Sequence, residues 1–222
     1  MIGCFVTGTD TGVGKTLAAT ALLHALARHH ARVIGMKPVA AGAVQVGAAW
    51  TSEDALSLRA ESNVVVPSEL DNPVLLAEPI SPHLAAQRAG VRIDIARIVR
   101  SYRLLAARAD AVVVEGAGGF HVPLSDTETG ADLAQALGLP LVLVVALRLG
   151  CLNHALLTAE AIRARGLVLA GWIANRLDPA MSAASENVSF LQRRLSAPLL
   201  ADIAYGHTDP RGVVMELPAS WQ

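Results

Sequence analysis

A chain of 222 residues, 53% hydrophobic and 17% charged, suits one α/β domain spanning residues 1–222 with a sizeable core. The formal net charge of −1 leaves no global positive field, so neither nucleic acid nor a membrane surface is expected as a partner. Cys4 and Cys151 lack metal-ligand spacing, and a cytoplasmic place with free thiols is expected.

In chain order, "IGCFVTG" predicts a strand near residues 2–7, and the absence of a basic leader before it argues against a cleaved signal. "GTDTGVGKT", Gly8 to Thr16, follows as a phosphate loop whose spacing is shifted: the usual Gly-x4-Gly-Lys-Ser/Thr needs glycine at position 9, where Thr9 stands. Gly12 and Gly14 free backbone N–H groups to turn toward an anion, a helix beginning near Lys15 adds its positive end, Lys15 reaches the phosphates, and Thr16 can ligate Mg²⁺. Leu17, Ala18, Ala21, Leu22, Ala25 and Leu26 form the apolar stripe of that helix.

"ARVIGMKPV" predicts a second strand near 32–37 that ends at Lys37, which either stands beside the phosphate loop or snorkels at the surface. Residues from about 40 to 80 form the least regular segment, read either as substrate and metal loops or as a surface connection. Within it Asp54 lies in the first turn of a helix capped by Ser52 or Thr51, where an acid favours the helix dipole. In "EPISPH", Ser81 and Pro82 read as an N-cap and a first helical residue.

"AVVVEGAGG" predicts a strand near 111–115 with Glu115 at its end, a costly place for an acid unless it is paired or bound to metal. "LGLPLVLVVAL" is about half of the roughly 20 residues a membrane span needs and reads as a buried strand near 141–146. "HALLTAEAIRARG" predicts a helix from His154 to Gly166 with a basic last turn and terminal glycine. "LAGWIAN" and "PLLADIAY" predict strands near 169–174 and 199–203, and Asn175 either reads a base edge or caps the chain. Continuous apolar strands alternating with helices predict a doubly wound α/β fold of the phosphate-loop NTPase kind: a mostly parallel sheet, helices on both faces, and the site at the strands' C-terminal ends.

The segments "FVTGTDTGVGKT", "KPVAAG", "EPISPH", "VVVEGAGG", "PLSDT", "LRLGCLNHALLT", "GWIAN" and "APLLADI" resemble, in order and spacing, the dethiobiotin synthetases, to about residue 205. The shifted loop is a trait of that family. The resemblance implies ATP- and Mg²⁺-dependent closure of a cyclic urea from 7,8-diaminononanoate and CO2, through a carbamate and a carbamic-phosphoric anhydride, giving dethiobiotin, ADP and phosphate.

By position, the resemblance implies that Thr11, Gly12, Val13, Gly14, Lys15, Thr16 and Leu17 hold the phosphates, with Thr16, Asp54 and Glu115 around Mg²⁺. Lys15 and Lys37, with Thr11, would serve the reacting carbamate and phosphoryl groups. Gly116, Ala117 and Gly118 would line the crevice, Asn175 and Arg176 with Ala204 and Tyr205 would surround the base, and Ala41 would touch substrate. Gly150, Cys151 and Asn153 would meet the substrate carboxylate through backbone N–H groups across the two-fold interface of a homodimer.

Three departures bear on these roles. Gly12 replaces an acidic loop residue of well-known members, Ala41 replaces a frequent serine, and Ala204-Tyr205 replaces a proline-aromatic pair. Residues from His207 onward match nothing in the family. Rival readings are a partitioning or positioning ATPase switch, whose signature lysine would stand where Asp10 does, a non-catalytic regulatory domain, and an amidotransferase, for whose glutaminase domain the chain has no room.

Overall fold

The computed structural model describes residues 1–222. The chain opens with β1 (Ile2–Gly8), α1 (Lys15–Leu26) and β2 (Val33–Met36). Three short strands, β3 (Val39–Ala41), β4 (Val44–Val46) and β5 (Ala49–Thr51), precede α2 (Glu53–Glu61), α3 (Ser68–Asp71) and β6 (Val74–Leu76). Then come α4 (Pro82–Ala89), α5 (Ile95–Ala106), β7 (Ala111–Glu115), α6 (Gly130–Leu137), β8 (Leu141–Leu147), α7 (Cys151–Ala164), β9 (Leu169–Arg176), α8 (Ala184–Arg194) and β10 (Leu199–Ile203).

Six strands form one parallel sheet in the order β10-β9-β8-β1-β7-β2. The apolar strands that the sequence predicts are these six, covered on both faces. Alternate residues of β7 show how the layers divide: Val112 and Val114 pack with Ile98, Tyr102 and Leu105 of α5, whereas Ala111 and Val113 pack with Ala18, Leu22 and Leu26 of α1. A third cluster joins β8 and β9 to α7 and α8 through Val145, Trp172, Ala159 and Leu191. Each fully buried Val or Leu contributes about 1.5–3 kcal/mol, so these contacts dominate the fold's stability.

The strand period has a consequence for the site. Side chains alternate along a strand, so Glu115 emerges on the same face as Ala111 and Val113, toward α1. Because β7 lies beside β1, with Val6 paired to Glu115, this acid sits next to the strand that launches the phosphate loop.

Two local expectations change, and the tail gains a place in the fold. The segment from 40 to 80 is built, not irregular: β3 pairs in parallel with β6, β4 and β5 form an antiparallel hairpin, and Ser52 caps α2 by accepting from Ala55 N–H at 3.4 Å. The helix expected from His154 begins at Cys151, because Gly150 (φ 95°) reverses the chain and caps it there, and Gly166 lies beyond the last turn. The tail after His207 packs against the α1 side of the sheet, burying Trp221, whose carbonyl lies 3.0 Å from His30 Nε2. No helix is long and apolar enough to cross a membrane.

Candidate functional site

The loop between β1 and α1 is held from three sides. Thr9 N–H donates to Val144 O at 3.1 Å, which ties its start to β8. Asp10 Oδ1 accepts from Thr11 N–H at 2.7 Å, and Asp10 Oδ2 pairs with Arg148 Nη2 at 2.7 Å. Asn175 Nδ2 donates to Val13 O at 2.9 Å from beneath the loop. Gly14 caps α1 with φ 89°, and a Cβ there would overlap Asn175 Nδ2, so both backbone conformation and space require glycine.

Lys15 follows, 7% exposed, with its Nζ donating to Asp10 O at 3.0 Å. Burial and then the nearby Lys37 lower its pKa to about 8, although Glu115, Asp54 and Asp10 pull the other way. Thr16 Oγ1 lies 2.8 Å from Asp54 Oδ1 and 2.9 Å from Glu115 Oε1, so one hydroxyl from α1, one carboxylate from α2 and one from β7 meet at a point. Lys37, at the end of β2 and 4% exposed, bridges the same two acids, its Nζ 2.6 Å from Asp54 Oδ2 and 2.7 Å from Glu115 Oε1.

The electrostatics follow from burial. Burial raises the pKa of Glu115, which is 1% exposed, more than Lys37 lowers it. Asp54 is also burdened by desolvation, but the pairing with Lys37 and the hydroxyl of Thr16 hold its carboxyl below the ordinary value. Desolvation opposes the Lys37 ammonium, and the two acids overcome it and raise its pKa.

Glu115 Oε2 is buried without a hydrogen-bond partner. A carboxylate oxygen left so is costly, and it adds a free lone pair to a set of hard oxygen donors from Thr16, Asp54 and Glu115. That donor chemistry fits a hard divalent cation.

A cleft of about 680 Å³ opens over this cluster. Thr11, Gly12, Gly14, Lys15, Thr16, Lys37, Ala41, Asp54, Glu115, Ala117 and Gly118 line it, together with an apolar wall that includes Val39, Pro79, Ile80 and Val122. Ser81 and Pro82 also line it, and the Ser81 side chain makes no capping bond although it stands at the N-cap of α4. The sequence favours helix capping for these two residues, and its one signal for a further role is their place in "EPISPH".

Other expected residues lie apart from the cleft wall. Val13 is buried under the loop, Leu17 packs on the sheet, and Gly116 fits close against Phe5 while its carbonyl accepts from Lys37 Nζ at 3.5 Å. Asn175 is 4% exposed with its amide N–H on Val13, and Arg176 pairs with Asp202 at 2.7 Å. Ala204 and Tyr205 follow β10, with Tyr205 exposed. Gly150 and Asn153 are exposed at the start of α7. Cys151 differs from expectation as a donor: its side chain is buried and its N–H is taken by Arg148 O at 3.0 Å, because the residue closes the turn into the helix.

Comparison with known proteins agrees with this geometry at the level of the fold. The model of the AAA domain family AAA_26 matches residues 3–208. Among solved structures, the MinC:MinD cell division complex of Aquifex aeolicus is similar with TM-score 0.56 and 16% identity, over 91% of this chain and 81% of that one. A ParA family ATPase from Chlorobium tepidum gives 0.55 and 17%, over 93% and 85%. The septum site-determining protein MinD of Pyrococcus horikoshii, complexed with Mg-ADP, gives 0.52 and 20%, over 91% and 80%. The fold is thus the mostly parallel α/β fold of the phosphate-loop NTPase kind.

Proposed function

The chain belongs to the AAA_26 family of AAA domains, and from that premise we propose that it is an ATP- and Mg²⁺-dependent synthetase that closes dethiobiotin from 7,8-diaminononanoate and CO2. The family includes the dethiobiotin synthetases, and the observation that carries the reading is Lys37. Its ammonium is buried between Asp54 and Glu115 on the floor of the cleft, beside Lys15. Two lysines converging on one end of a phosphate loop suit a reaction in which negative charge moves between a carbamate and a phosphoryl group.

In this reading Thr11, Gly12, Gly14 and Lys15 hold the phosphates of ATP, with Val13 and Leu17 supplying backbone on either side. Asn175, Arg176, Ala204 and Tyr205 lie toward the base. Thr16, Asp54 and Glu115 hold Mg²⁺, which supplies charge neutralisation at the phosphates. One amine of the substrate takes up CO2, and the carbamate oxygen attacks the γ-phosphorus and releases ADP. The second amine then attacks the carbamoyl carbon, the urea ring closes, and phosphate leaves. Lys37 and Lys15 stabilise the carbamate and the transferring phosphoryl, while Ala41, Ala117 and Gly118 keep substrate and nucleotide close together. Gly150 and Asn153 would receive the substrate carboxylate from the second copy of a homodimer.

A second reading is a nucleotide switch of the MinD or ParA kind. The solved structures reported above favour it by fold, and at 16–20% identity their likeness concerns the fold alone. Asp10, ion-paired to Arg148 where such switches carry a signature lysine, weighs against it.

Phosphate release with MgATP and bicarbonate, with and without 7,8-diaminononanoate, separates the two. Release that requires the diamine and yields a product with the mass of dethiobiotin supports the synthetase. Release indifferent to the diamine supports the switch.

A further inference from the structure

The phosphate loop carries a carboxylate, Asp10, whose neighbour Thr11 and hydrogen-bond partner Lys15 line the cleft. A free negative charge there would repel a phosphate. Arg148 comes from the turn after β8 and places its Nη2 2.7 Å from Asp10 Oδ2. The other oxygen of the same carboxylate accepts from Thr11 N–H at 2.7 Å, and the carbonyl of Asp10 accepts from Lys15 Nζ at 3.0 Å. Asp10 therefore orients Thr11 and Lys15, both of which line the cleft.

Arg148 is equally fixed at its own end. Its N–H donates to Ala146 O at 3.0 Å, and its carbonyl accepts from Cys151 N–H at 3.0 Å, closing the turn that caps α7 at Gly150. One side chain thus joins the phosphate loop to the first turn of α7, across 138 positions of sequence.

We propose that the Asp10–Arg148 pair is a positioning and charge-neutralising element of the nucleotide site. It lets the loop use Asp10 to orient Thr11 and Lys15 without presenting a net negative charge to phosphate, and it transmits occupancy of the loop to residues 149–153. The inference rests on nucleotide binding by the loop and not on the diamine reaction.

A pair exposed to this degree, with side chains 48% and 52% accessible, has a modest direct strength. The larger expected effect is the uncompensated carboxylate left when Arg148 is removed. Removing Arg148 should therefore cost more than removing both partners.

The test is calorimetric ADP affinity of the full chain for four variants. Arg148→Ala should weaken binding by about fivefold, Asp10→Asn should weaken it less because the amide oxygen can still accept from Thr11 N–H, and the double variant should bind more tightly than Arg148→Ala. Arg148→Lys, which keeps the charge, should stay near wild type. Hydrogen exchange at Leu152 and Asn153 should slow on ADP binding in wild type, and the change should vanish in Arg148→Ala. Unchanged affinity in Arg148→Ala overturns the proposal, and so does a double variant as weak as Arg148→Ala. Failure of wild type to bind ADP would instead count against the loop as a nucleotide site.

Discussion

Lys37 Nζ lies 2.7 Å from Glu115 Oε1, and both side chains are almost wholly removed from water. Neither charge would be stable there alone, so each accounts for the other's burial. Together with Asp54 they leave a single ammonium facing two carboxylates at the floor of the cleft. A cation held by those carboxylates would compete with the ammonium for the same oxygens.

Lys37→Gln is expected to lower turnover by about 10²–10³-fold or more, since it removes a donor aimed at developing charge. ADP affinity measured with Mg²⁺ should fall far less than turnover, because Lys15 and the loop backbone hold the phosphates and the cation offsets the two carboxylates that Lys37 leaves. Steady-state phosphate release alongside ADP calorimetry checks both. Turnover at the wild-type rate would remove Lys37 from the chemistry, and a parallel collapse of ADP binding would mean that the variant disturbs the fold.

Loss of even an outer-shell partner typically costs metal affinity about 10–100-fold. Thr16→Val, which deletes the hydroxyl shared by Asp54 and Glu115, should accordingly weaken MgADP binding by at least about tenfold. Affinity for ADP in EDTA should move far less, and diamine binding should move less than MgADP binding. Equal losses in all three titrations would show that the hydroxyl matters to folding and not to the cation.

How far the sequence reaches is clear at particular residues. The six parallel strands are legible because each is a continuous apolar run, and Gly14-Lys15-Thr16 announces the loop. Strands β3 to β6 are three residues each, too short to show a period, so the segment from 40 to 80 reads as irregular although it carries Ala41 and Asp54 to the cleft. The tail packs through Val213, Met215, Leu217 and Trp221; the first three alternate as strand residues do, yet the segment pairs with no strand ladder, so its local pattern does not announce its place. The pairing of Asp10 with Arg148 joins distant positions, and nothing local in the sequence signals it.

Gly14→Ala should abolish measurable ADP binding at concentrations that saturate wild type. A left-handed non-glycine residue costs about 1–2 kcal/mol, and the added methyl also meets Asn175 Nδ2. Adding Asn175→Ala removes the overlap but leaves the φ penalty and frees Val13 O, so rescue should be partial. Full recovery in the double variant would make the clash the only obstacle, and no recovery would place the whole effect in the backbone.

The depressed pKa of Lys15, about 8, makes nucleotide binding a proton-coupled event. A bound phosphate favours the ammonium and raises that pKa, so binding takes up a proton wherever free Lys15 is partly neutral. In Mg²⁺-free ADP titrations the uptake should be about 0.1 proton at pH 7, about 0.5 at pH 8 and about 0.9 at pH 9. Calorimetry in buffers of different ionisation enthalpy measures it directly. ADP affinity should fall as pH rises through this window, because more of the free protein must first be protonated. An uptake of zero at pH 8 would show that Lys15 is already fully charged in the free protein, with its burial offset by Glu115, Asp54 and Asp10.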